Sequence, residues 1–222
     1  VTNAADQTSA VAPGGLVTVW GSGMSSVNMA ASSLPLATGL NNVCLYANSI
    51  PVPLLFVSPN QINAQLPFGM PLGANLVLAN PNGSSAPFTL SAQPTAPAIF
   101  RTNDGTPLIV RTVDGKFVTD DTPIHLNEVL NIFLTGLGPV TPNVASGAGG
   151  PAGPLATTTT PPIVYIGGSP LFMLWSGLAP GFVGLYQVNV QVPFHNVPTG
   201  DSIPFTVVQG AAQTQVKVKV EQ

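Results

Sequence analysis

The heptapeptide Gln61-Ile62-Asn63-Ala64-Gln65-Leu66-Pro67 recurs as Gln187-Val188-Asn189-Val190-Gln191-Val192-Pro193, with both glutamines, the asparagine and the proline fixed. A chain carrying such a repeat is built twice, so whatever one copy folds into, the other must accommodate as well. Two further matches extend it. Residues 127–137 align with 14–24 at an offset of 113, pairing Phe133 with Trp20 and Gly136 with Gly23. Pro154-Leu155-Ala156-Thr157 repeats Pro35-Leu36-Ala37-Thr38 at an offset of 119 and carries Tyr46 onto Tyr165. The heptapeptide's own offset is 126, so the second copy holds two insertions, one within residues 139–153 and one around residues 176–184. Two tandem domains are expected, residues 1–95 and residues 96–222.

The copies are expected to be all-β. Twenty-three glycines and 24 prolines in 222 residues burden any helix, because interior proline costs about 3 kcal/mol and glycine about 1 kcal/mol. Strand signals are abundant. Leu16-Val17-Thr18-Val19-Trp20 follows a Pro-Gly-Gly turn, and Asn82-Gly83 stands between two apolar runs as a hairpin turn. The last strand alternates Val216, Val218 and Val220 with Lys217 and Lys219, one face buried and one wet. Leu126, Val129, Leu130 and Phe133 stand at helical spacing, but their repeat partners read as a strand, so this segment is read as one too. Short strands separated by turns, in two units, predict tandem immunoglobulin-like β-sandwiches, with one larger pseudo-symmetric sandwich or barrel as the alternative.

Several runs resemble a known family. Asn3-Ala4-Ala5 and Ala12-Pro13-Gly14 match its opening, and Val57-Ser58-Pro59-Asn60 leading into the heptapeptide matches its central signature. Gly136-Leu137-Gly138-Pro139-Val140 and Ser176-Gly177-Leu178-Ala179-Pro180-Gly181-Phe182-Val183-Gly184-Leu185-Tyr186 match its second-half motifs. The chain resembles the uncharacterised C-terminal domain of acidobacterial (Solibacter-type) secreted proteins, itself similar to IPT/TIG immunoglobulin-like repeats. The resemblance covers nearly the whole chain. It implies an extracellular β-rich module and supplies no catalytic residues. The family domain usually ends a much longer protein, whereas this chain is almost the domain alone.

Charge narrows the function classes. Five Lys and Arg against eight Asp and Glu give a net charge of −3, which leaves no basic stripe for nucleic acid. No apolar run reaches the roughly 18 residues of a membrane span. No signal-peptide pattern opens the chain at Val1, so a mature or a cytosolic product is expected; sparse charge favours the secreted, extracellular or cell-surface one. Cys44, the single cysteine, is expected to be a buried free thiol. The histidines are His125 and His195, neither beside a nucleophile elbow, and no catalytic residue, no cofactor and no enzymatic activity are expected.

The candidate sites are these. Eight of the charged residues fall between Arg101 and Glu128; Asp114, Asp120, Asp121 and Glu128 are hard-oxygen candidates for Ca²⁺, against a simpler reading as a solvated hairpin with Asp-Gly turns and strands at residues 108–112 and 116–119. A transition-metal pair of His125 with Glu128 is disfavoured, since residues three apart on a strand face opposite sides. Gln61, Asn63 and Gln65, and again Gln187, Asn189 and Gln191, form an amide row on one strand face, suited to sugar hydroxyls or to loop backbone groups within the fold. Trp20, aligned with Phe133, is expected in the core. Trp175 is expected to pack in the core; exposed together with Phe182, it would instead make an apolar platform for a sugar or a neighbouring subunit. Thr157, Thr158, Thr159 and Thr160, before two prolines, are candidates for O-glycosylation.

A surface this poor in charge favours association. The reading that follows is a non-catalytic extracellular structural protein, self-associating through sandwich surfaces or strand addition into a homo-oligomer, homopolymer or filament. Residues 1–11 or 216–220 would donate the strand. The alternative is a secreted adhesion or carbohydrate-binding module.

Overall fold

A computed structural model describes residues 1–222. It is all-β, without a helix, and its strands form four sheets in two facing pairs. In the first half one sheet runs in the order Thr2–Asn3, Leu16–Trp20, Gln61–Gln65, Leu54–Val57, Met29–Ala30. The facing sheet is built on Gly73–Asn80, which pairs with Val43–Ala47, Gly83–Ser84 and Phe88–Ser91. In the second half Ala98–Ile99 and Ile109–Arg111 both pair with Val129–Thr135, followed by Tyr186–Gln191 and Phe172–Leu178. Opposite lie Ile163–Ile166, Gly200–Gln209 and Ala212–Glu221, with Ile124–His125 on the outer edge, paired parallel to Ala212–Glu221.

The repeat is a repeat of register. Thr18 faces Asn63 and Trp20 faces Gln61; at the same two offsets Asn131 faces Asn189 and Phe133 faces Gln187. The next strand carries a bulge at the same place, between Leu54 and Phe56 in one half and between Met173 and Trp175 in the other. A slip of one residue would turn every apolar side chain to the wrong face. The strictly alternating Ile62, Ala64, Val188 and Val190, all fully buried, hold both ladders to one register. Each pair of sheets encloses its own apolar cluster, one drawn from residues 11–92 and one from residues 99–220. The proposed boundary at residues 95/96 leaves one cluster on either side.

Both insertions of the second copy lie against the first half. From the first, Gly147 donates its N–H to Gln65 Oε1 at 2.6 Å and accepts from Leu36 N–H at 2.8 Å, while Ser146 Oγ accepts from Phe68 N–H at 3.0 Å. Beside the second, the buried Thr135 hydroxyl donates to Gly184 C=O at 2.8 Å and accepts from Leu16 N–H at 2.9 Å. The inserted residues therefore form the seam between the halves.

Three expectations are corrected. Trp20 is 52% exposed, because it stands opposite Gln61 on the outer face of its sheet, while its neighbour Val19, opposite the buried Ile62, takes the core side. Cys44 is half-buried: Val43, Leu45 and Ala47 take the core face of the strand, which leaves the thiol on the other face beside Tyr46. Residues 116–119 form no strand but a single bridge, Val110 to Phe117, beyond the Asp114-Gly115 turn.

Candidate functional site

Directly opposed residues of an antiparallel ladder project to the same side. On the outer face of the second half this produces three rows: Phe133, Gln187 and Gly177; Asn131, Asn189 and Trp175; Val129, Gln191 and Phe172. Gly177 decides how the indole lies. A Cβ there would stand 2.6 Å from Trp175 Cζ2 and 2.9 Å from Cη2, so glycine leaves room for the benzo edge of the indole. Trp175 is half-buried by this contact, and Phe172 beside it is exposed.

The amides are arranged along the strand. Gln187 Nε2 donates to Asn189 Oδ1 at 2.8 Å, and Gln191 Nε2 donates to Asn127 Oδ1 at 2.9 Å. An amide group has two N–H donors and a carbonyl acceptor. The first bond leaves the Asn189 donors and the Gln187 carbonyl for an outside partner, at the edge of the indole. In the first half Gln61 Nε2 likewise donates to Asn63 Oδ1 at 2.8 Å. There the row diverges at Gln65, which is fully buried, donates to Gly14 C=O at 3.1 Å and accepts from Gly147 N–H across the seam. The two sequence readings of the amide row thus divide between its members: Gln65 satisfies loop backbone, and Gln187 with Asn189 stays on an open face.

Phe182 stands apart from Trp175. It is exposed at the tip of the second insertion, its carbonyl accepting from Gly150 N–H at 2.9 Å, and the structure's one aromatic pair is Phe194 with His195. The aromatic side chain in the ladder row next to Trp175 is Phe172. Its position opposite Gln191 follows from the strand register, which the repeat alone left unspecified on this side of the bulge.

The acidic segment holds an arginine at its centre. Arg111 Nη2 reaches Glu128 Oε1 at 2.6 Å and Nη1 lies 3.5 Å from Asp114. No three His, Cys, Asp or Glu side chains converge as a cation site would require, and Asp120 and Asp121 are exposed in a bend. His125 and Glu128 do meet, Nδ1 to Oε1 at 3.3 Å, contrary to the opposite-face expectation. The strand stops at His125, and Asn127, at φ 65°, turns the chain so that Glu128 folds back. Nearby, Thr102 and Thr106 hydrogen-bond the Asp104 carboxylate and hold its pKa below the ordinary value. Glu221 holds the Lys219 ammonium above its own.

The threonine tract is no extended stalk: Thr157–Thr158 form a short strand between Phe172–Leu178 and Val140–Thr141, and Thr159 and Thr160 follow it. Thr158 is buried with its hydroxyl 2.6 Å from Ser176 Oγ, while Thr157, Thr159 and Thr160 are exposed. His195 sits in an exposed turn, and neither histidine is hydrogen-bonded to a hydroxyl or thiol.

No family model and no curated protein matches the chain. Among solved structures it is similar to a surface glycan-binding protein of Prevotella bryantii, at 9% identity and a TM-score of 0.32 over 98% of this chain and 40% of that one. It is also similar to a surface glycan-binding protein of the Bacteroides ovatus mixed-linkage glucan utilization locus, solved with a heptasaccharide, at 11% identity and a TM-score of 0.39 over 96% of this chain and 43% of that one. The chain spans less than half the length of either. Likeness at this level carries no argument about function, which rests on the chain's own residues.

Proposed function

We propose that the protein is a non-catalytic, extracellular or cell-surface carbohydrate-binding module whose contact face is the outer sheet of the second half. The observation that carries this reading is the placement of Trp175 directly beside Asn189 on one open sheet face, with Gln187 and Phe172 in the adjoining rows. A pyranose ring has an apolar C–H face and a rim of hydroxyls. The indole supplies a flat apolar surface for the first, and amides, which both donate and accept, suit hydroxyls, which do the same. The face carries no charged side chain, as fits a neutral sugar.

Self-association through strand exchange has less to stand on. Thr2–Asn3 is already paired with Leu16–Trp20, and Val216, Val218 and Val220 are buried in the second half's own core. Neither terminal segment is free to be donated.

The test is retention of the protein in native gels cast with soluble β-glucan, xylan or mannan, followed by calorimetry on whichever polysaccharide retains it. The expected result is binding to at least one, weakened about tenfold by Trp175→Ala, a loss of roughly 1.4 kcal/mol. Retention by none, or unchanged affinity in Trp175→Ala, would remove the proposal.

A further inference from the structure

The open face of the second half extends beyond the strands that hold Trp175 and its amides. Trp175 stands opposite Asn189, Asn189 opposite Asn131, and Asn131 opposite Val110, which is bridged in turn to Phe117. Opposed residues of an antiparallel ladder project to one side, so these five side chains make a single row across the sheet. Their chain neighbours confirm which side it is. Ile109, Val118, Leu130 and Val188 are buried in the core cluster, which turns Val110, Phe117, Asn131 and Asn189 outward. Phe117 is 43% exposed, and the other four are half-buried.

The flanking rows are built differently. One has Phe133 at one end and Gly177 with Thr157 at the other; the second has Phe172 at one end and Val129 at the other. The middle row has an aromatic ring at each end and amides between. Neighbouring strands lie about 4.7–4.9 Å apart, so its four steps put Phe117 and Trp175 about 19 Å apart, the length of about four pyranose units in an extended chain. The amides in between have capacity to spare. Asn189 accepts from Gln187 through Oδ1 and keeps both of its N–H donors, whereas Gln191 in the flanking row is bonded to Asn127. Asn131 adds a second carboxamide, two strands from the indole. The row itself is uncharged: Arg111, next to Val110, stands opposite the buried Leu130 on the other side and reaches Glu128.

We propose that this row is an extended site for the interior of a linear, neutral polysaccharide, which lies across the strands from Trp175 to Phe117. One sugar ring rests on the indole, the hydroxyls of the middle units meet Asn189 and Asn131, and a later ring rests on Phe117. Aromatic rings offer the apolar surface that a pyranose C–H face needs, and carboxamides donate to and accept from its hydroxyls. The row begins and ends on an aromatic ring, and neither ring suits the extra hydroxyl of a chain terminus, so the polymer runs on past both. This rests on the carbohydrate reading above and adds to it a direction, a length and a contact residue, Phe117, on the far side of the sheet from Trp175.

Cello-, xylo- and manno-oligosaccharides, each as disaccharide, tetrasaccharide and hexasaccharide, are titrated into the protein and followed by calorimetry. At least one series is expected to bind, the hexasaccharide at least tenfold more tightly than the disaccharide. Phe117→Ala, at an exposed position where the thermal midpoint should not move, is expected to weaken the hexasaccharide several-fold and narrow its advantage over the disaccharide. Phe172→Ala should weaken it less. A hexasaccharide reduced to the alditol at its terminal unit should bind as the unreduced one does. Equal affinity for disaccharide and hexasaccharide, a hexasaccharide indifferent to Phe117→Ala, or binding lost on reduction of the chain end would each overturn the proposal, with Trp175→Ala still weakening whatever binds. Failure of the carbohydrate reading has a different signature: no series binds, or Trp175→Ala binds as the parent does.

Discussion

The two halves share a ladder but not its closure. Register, bulge and strand order coincide through Leu16–Trp20, Gln61–Gln65 and their repeats, yet Ile99 fills the second half's sheet gap and the first half keeps a cleft. The seam draws the opposite distinction. Gln65 is buried beneath the first insertion, and Gln191, its repeat, stays on the surface with Asn127. The repeated pattern therefore fixes the pleat and the pairing, and what covers each face decides whether an amide bonds the chain's own backbone or stays on the surface. The heptapeptide's last amide is buried scaffold in one setting and surface in the other.

The largest expected effect tests this equivalence at the paired glycines. An L-residue at φ near +60° costs about 1–2 kcal/mol wherever it stands. Gly136→Ala adds a collision with the Ala96 carbonyl, and overpacking of this kind costs about 1–3 kcal/mol more. Urea unfolding should therefore show Gly136→Ala several kcal/mol below the parent and Gly23→Ala only about 1 kcal/mol below. Equal losses would mean that the halves are closed alike and that the cleft is not a real difference.

Next in size is the amide pair. Gln65→Ala strips the Gly147 N–H and the Gly14 C=O of their partners, and unsatisfied buried groups cost about 1–3 kcal/mol each. Gln191→Ala removes an exposed bond and should stay within about 0.5 kcal/mol. If Gln191→Ala proved the more damaging, the seam would not be where the second insertion and Gly147 place it.

Much of this fold was legible. The alternation in the heptapeptide gave the buried and open faces, and the growing offsets located both insertions. The helical spacing of Leu126, Val129, Leu130 and Phe133 was correctly set aside because Leu16–Trp20, its copy, reads as a strand. The illegible parts depended on what lies across from a residue. Trp20 aligned with Phe133 and was expected in the core, but the pairing sets both opposite a glutamine, Gln61 and Gln187, on the outer face of the sheet. Trp175 was legible as a candidate; its companion Phe172 was not, because the bulge between Met173 and Trp175 shifts which residue meets Gln191. Glu128 offered itself to a cation on charge alone, and only the fold reveals Arg111 beside it.

Tyr186 gives the halves different responses to alkali. Its hydroxyl donates to Gly138 C=O in the core, and burial pushes the phenol well above its ordinary 10.0; the repeat partner is Asn60, which does not titrate. Above about pH 10 the unfolded chain releases a proton that folded Tyr186 retains, so stability falls as pH rises. Tyr186→Phe should lower stability by about 1 kcal/mol at neutral pH through the lost hydrogen bond and flatten the alkaline decline. Absorbance titration near 295 nm should find this phenol silent until the protein unfolds. Early ionisation would mean that the second core is open to water.

The smallest expected effect belongs to the outer face. Trp20→Phe gives the first half the residue that the second half has at the matching position. The Phe133 backbone donates to Leu108 and accepts from Phe100, whereas Trp20 is half in solvent and its indole N–H makes one long bond, 3.3 Å, to the hydroxyl of half-buried Thr2. Little is lost when such a side chain shrinks, and exposed substitutions of this type stay within about 0.5 kcal/mol. Thermal unfolding of the parent and of Trp20→Phe measures the difference. A large loss would mean that the indole is packed into the interior and does not lie on the open outer face.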